Sequence, residues 1–150
     1  VLANRKDSRA QERQAERDAY EEVKAVYTEA LACLEKCIRA VQGSAEFPDL
    51  QRELSLSNAS LQLIGSDEVI AQGHKVSDLM FEWSTEYRFG APKPLGGSMA
   101  IISSQDRPHQ EKAAALYPQL VEATTKEANL MRAHLLVLRT RARVGSRVRL

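Results

Sequence analysis

Apolar residues recur along most of this chain in steps of three and four, the spacing that gathers them on one face of an α-helix. Tyr20, Val23, Tyr27, Ala30, Leu34, Cys37 and Val41 form an unbroken seam, widened by Val26, Leu31 and Ile38. Gly43 then supplies a helix stop. Carried backwards, the same seam meets Lys6, Arg9, Arg13 and Glu16. The spacing therefore predicts a helix from about residue 4 whose first turns have no apolar face, so residues 1–19 read as a charged, stalk-like start.

A second helix is expected from Pro48, with Leu50, Leu54, Ser57, Leu61 and Ile64 on its seam and Gly65 at its end. Ser66 is a natural N-cap for a third, and Asp67 and Glu68 follow it where the helix dipole favours acids. Its seam is Val69, Gly73, Val76, Met80, Trp83 and Tyr87; Phe81 joins Trp83 and Tyr87 in an aromatic cluster expected to pack the end of the bundle. A fourth segment spans about Pro108 to Arg139, with Ala114, Tyr117, Val121, Thr124, Ala128, Met131, Leu135 and Leu138 facing inward. Pro118 should kink it or mark its true start. Four amphipathic segments with short turns at 43–47 and 65–66 predict an all-α fold: one antiparallel helical bundle over 1–150 with a long, protruding first helix.

One stretch breaks the pattern. Residues 89–108 hold three prolines and three glycines, and only Met99 to Ile102 hints at a strand. We expect a crossover loop whose apolar residues tuck against the bundle, with a partner-binding loop as the functional alternative.

Length and composition narrow the class. At 150 residues with 43% hydrophobic and 27% charged residues, the chain matches an ordinary globular domain that needs no metal or disulfide staple. The longest uncharged run, Leu54 to Ser66, is too short to cross a bilayer. Cys33 and Cys37 lie four apart on a helical face, a spacing poorly suited to a disulfide, and are expected as packing residues in a reducing compartment. His74, His109 and His134 lack carboxylate or cysteine neighbours at ligand spacing, so no metal site is expected. Glu127 drifts near the buried face but has no second carboxylate beside it. Gly96-Gly97-Ser98 has neither the lysine nor the strand-to-helix setting of a phosphate loop, and no serine lies in a nucleophile elbow. No catalytic residue and no cofactor site is expected, and the chain does not read as an enzyme.

Charge is distributed unevenly. Overall the balance is +1, yet five of the 21 Lys and Arg, and none of the 20 acids, lie in residues 139–150, which leaves −4 before them. This basic tail holds Arg139, Arg141, Arg143, Arg147 and Arg149 but no aromatic residue for stacking on bases, which ranks nucleic acid below a protein partner. At the other end, Val1-Leu2-Ala3 followed by Arg5, Lys6 and Arg9 is the pattern of a chain leaving a membrane on its cytoplasmic side, and predicts an anchor upstream of Val1.

The run Arg13-Gln14-Ala15-Glu16-Arg17-Asp18-Ala19-Tyr20, with Leu61-Gln62-Leu63-Ile64-Gly65-Ser66-Asp67-Glu68-Val69-Ile70, is similar to the cytosolic helical regions of many short bacterial membrane proteins of uncharacterised function. The likeness covers roughly residues 5–88. It implies an N-terminal span leading into a long charged helix, and it carries no assigned catalytic residues. The reading that results is a non-enzymatic interaction domain with an unidentified protein partner, a possible homo-oligomer, on the cytoplasmic face of a bacterial inner membrane. The alternative is a soluble nucleic-acid-associated protein using its arginine-rich tail.

Overall fold

The computed structural model describes residues 2–43 and 47–147. Among them the chain forms α1 (Leu2–Gln42), α2 (Phe47–Ile64), α3 (Asp67–Gly90), a hairpin of β1 (Lys93–Gly96) and β2 (Met99–Ile101), and α4 (Arg107–Arg147). The architecture is the expected all-α bundle.

Cross-helix bonds fix the directions. Lys36 pairs with Glu53 at 3.2 Å between α1 and α2. Gln51 donates to Ser84, and Gln62 meets His74, between α2 and α3. Gln72 reaches the Ala123 carbonyl and Glu86 meets His109 between α3 and α4. Gln42 donates to the Tyr117 hydroxyl and Tyr27 meets His134, which closes the ring from α1 to α4. In each pair with two such bonds the partners' numbers run in opposite directions, so these neighbours are antiparallel.

The seams expected for α1, α2 and α3 are the buried faces. Val23, Tyr27, Ala30, Leu34 and Cys37 meet Leu50, Leu54 and Leu61, and Val69, Val76, Met80 and Trp83 complete that side of the core. Ser66 caps α3 as expected, its Oγ accepting from the Val69 amide at 3.3 Å. The aromatic cluster forms only in part: Trp83 is buried and stacks on Tyr87, but Phe81 is 67% exposed.

The face of α4 differs from expectation by one residue over its first half. Ala113, Leu116, Leu120, Ala123 and Glu127 point inward, while Ala114 is exposed. Leu116-Tyr117 and Leu120-Val121 offer an apolar residue to either register, and the one that buries both leucines prevails. The two registers merge at Met131, Leu135 and Leu138. Pro118 lies inside an uninterrupted α4, exposed on its solvent side, so water can serve the backbone carbonyl that its ring deprives of a partner.

The 89–108 stretch is also corrected. α3 continues to Gly90 and α4 begins at Arg107, and the remainder holds a two-stranded antiparallel hairpin. Gly96 (φ 113°) and Gly97 (φ 63°) make its turn, a backbone course that side chains on either residue would strain. Of the stretch's large apolar residues only Ile102 is half-buried; Leu95, Met99 and Ile101 are 62%, 68% and 51% exposed. Lys93 ties the hairpin to Asp106 at 3.3 Å.

The expected basic tail is likewise helical through Arg147, so Arg139, Arg141 and Arg143 stand at fixed positions on α4; Arg149 lies outside the described residues. Helices α2 and α3 turn back at Gly65–Ser66, level with Tyr27 and His134, because the Ser66 amide donates to the Tyr27 hydroxyl at 3.2 Å. Beyond that level α1 and α4 continue as a two-helix extension. The α1 arm reaches roughly 35 Å further at about 1.5 Å per residue. From Ala3 to Ala19 it is exposed except at half-buried Arg13, the bare stalk that the charged pattern implied.

Candidate functional site

Two places gather chemistry-bearing side chains. The first is a polar layer in the middle of the bundle. Tyr27, fully buried on α1, accepts from the Ser66 amide and lies 2.6 Å from His134 Nδ1. The Tyr27 hydroxyl and His134 Nδ1 share one hydrogen bond whose donor is set by the imidazole tautomer. Burial raises the Tyr27 phenol, and burial with the Arg141 charge lowers His134, which keeps both partners neutral. Asn58 bonds Ser77 and, at 3.4 Å, the Gly73 carbonyl.

Glu127 is the unusual member. It is 1% exposed, and its Oε2 is a buried side-chain atom without a hydrogen-bond partner among the described residues. Burial pushes its carboxyl up to about 7. Gly73 makes room for it: a Cβ there would sit 3.1 Å from Glu127 Oε1 and 3.0 Å from Asn58 Oδ1. The same carboxylate acts on Cys33 and Cys37. Cys37 is held up by hydrogen bonding to Cys33 and by burial, while Cys33 is held down by the bond it accepts. Both thiols are free and buried, as the spacing implied. Cys33 borders an open groove of about 360 Å³ between α1 and α2, whose walls include Val26, Lys36, Glu53 and Ser57.

Glu127 Oε2 apart, the buried side-chain polar atoms among the described residues are bonded within the bundle. His74 meets Gln62, His109 meets Glu86, and His134 meets Tyr27, so the three histidines stand apart from one another. Among the described residues no three of His, Cys, Asp and Glu are grouped as metal ligands. Glu127 was legible as lying near the core but not as lying in it, because a charge in a seam is ordinarily read as surface.

The second place is the extension. On α4 the inward residues Leu135 and Leu138 pack against the core, and Ala142 is half-buried. The opposite face carries Leu136, Val137 and Val144, which are 64%, 47% and 56% exposed. Arg132, Arg139 and Arg143 recur by seven and four residues along one flank of that apolar face, and Arg141 lies on the other; all four are exposed. No acidic residue occurs after Glu127. On the α1 arm, the face turned away from the seam instead carries Asp7, Asp18 and Glu22, all exposed. The two outer faces of the extension therefore differ in charge balance. No helix among the described residues is long and apolar enough to cross a membrane. Compared with known proteins, the chain matches no family model, no curated protein and no solved structure.

Proposed function

We propose that this chain is a non-enzymatic interaction domain whose working surface is the α1/α4 extension, on the cytoplasmic face of a bacterial inner membrane. One observation carries the reading. The three histidines and the Tyr27 phenol of the body are engaged in internal bonds, and on the outer side of α4 Leu136, Val137 and Val144 stand in solvent with the exposed Arg132, Arg139, Arg141 and Arg143 along their flanks. Apolar residues clustered in water and rimmed by charge mark an interaction site. Photo-crosslinkers at Gln14 and Val144 of the native protein in its own cells, followed by an alkaline carbonate wash, test the reading. We expect adducts at Val144 and retention in the membrane pellet. Recovery in the supernatant without adducts overturns it.

A second reading, association with nucleic acid, is favoured by the run of arginines without an acid after Glu127. It predicts binding to duplex DNA that falls steeply with salt and disappears when residues 139–150 are deleted.

A further inference from the structure

We infer that the outer face of α4 between Arg132 and Val144 docks on an anionic lipid surface. This inference rests on the interaction reading and names the partner. Three features of the face fit a bilayer. The first is its order across the helix: an apolar strip of Leu136, Val137 and Val144 with Arg132, Arg139 and Arg143 along one side and Arg141 along the other. That is the cross-section of a helix lying in the headgroup layer, with apolar side chains entering the acyl boundary and long arginine stems reaching phosphates on either side. The second is its back: Leu135 and Leu138 pack against the core, so the strip is held rigid and pays no folding entropy on contact. The third is the charge across the extension. The outer face of α4 is basic without an acid, whereas the α1 arm sets Asp7, Asp18 and Glu22 among the exposed Arg5, Lys6, Arg9 and Arg17, so an anionic surface attracts the α4 side more strongly than the α1 side. The bundle would then lie along the membrane with the hairpin end free.

Nucleic acid fits less well. A phosphate-binding face has no use for an exposed Leu136–Val137–Val144 strip, and the stretch offers no aromatic side chain for stacking. A second copy packed strip against strip would bring the arginine rows of both copies together, like charge against like.

The test uses the 150-residue chain and vesicles of phosphatidylcholine with or without phosphatidylglycerol, read by co-sedimentation. We expect binding to the anionic vesicles alone. Arg139→Gln with Arg143→Gln should weaken it more than tenfold, at about fivefold for each arginine near the surface. Arg139→Lys with Arg143→Lys should retain it, and Leu136→Ser with Val144→Ser should weaken it while leaving the fold intact by circular dichroism. Equal binding to both vesicles, or indifference to the glutamine pair, overturns the inference. So does duplex DNA binding that depends on the same arginines in the absence of vesicle binding, or a dimer in sedimentation that Val144→Ser dissociates. Either of these last results leaves the interaction reading standing with another occupant. Empty vesicle, DNA and dimer assays together with no crosslink at Val144 overturn both.

Discussion

At Tyr27 and His134, α1 and α4 meet inside a four-helix body, with Tyr27 fully buried and bonded on two sides. Within the next turn of α4, Leu136 and Val137 already stand in solvent, and towards its N-terminus α1 shows a surface of mixed charges. Helix identity is therefore a poor guide to role in this molecule; what changes is the company. Four helices surround a core in the body, so even a carboxylate is drawn in there. Two helices can cover only one face of each other, and the rest must meet water or a partner.

The contrast is sharpest in the apolar residues. Leu120→Ala removes a side chain with no exposure and should cost about 2–5 kcal/mol. Leu136→Ala, at 64% exposure, should stay within about 0.5 kcal/mol. Urea unfolding of the two variants side by side measures the difference; equal losses would break the division into body and extension.

Next in size is the pH response of Glu127. Below about pH 4.5 its carboxyl is protonated in the folded and the unfolded chain alike. Between there and about 7 the unfolded chain gives up the proton first, so stability falls as pH rises, by roughly 3 kcal/mol once pH exceeds 7. Glu127→Gln should abolish this dependence and gain over the parent chain at pH 8. His134 acts in the opposite sense: its lowered value gives stability above about 6.5 that is lost as pH falls through the folded value. His134→Gln should thus flatten the acid side of the curve and leave the alkaline side alone. Unfolding midpoints across pH 4–8 separate the two.

A smaller effect is expected at Tyr27→Phe, which strands the Ser66 amide and the His134 nitrogen for about 1–2 kcal/mol. The smallest belongs to Arg13→Ala on the arm, within about 0.5 kcal/mol. A larger loss there, read by the same unfolding assay, would mean that the arm contributes to the body after all.

How much of this was legible in the sequence follows the same division. The seams of α1, α2 and α3 were readable because a single register gathers their apolar residues. On α4, Ala113 to Leu116 and Leu120-Val121 support two registers, and the one that wins carries Glu127 inward, a placement that sequence periodicity penalises. The hairpin was missed although Gly96-Gly97 is a turn signal, because Pro94 and the short strands obscure the alternation around it. The arginines were visible as a tail; that they stand on a helix, beside an apolar strip, depends on α4 continuing past Arg139 with only one of its faces covered.

The hairpin offers something of practical use. Its Gly96–Gly97 turn has open space around both residues, and it sits at the opposite end of α4 from the arginines, roughly 40–55 Å away at about 1.5 Å per residue. A peptide epitope or a fluorophore grafted between Gly97 and Ser98 would ride on a rigid rod whose far tip does the touching. Its distance from a surface would then report whether the rod is lying down or standing up.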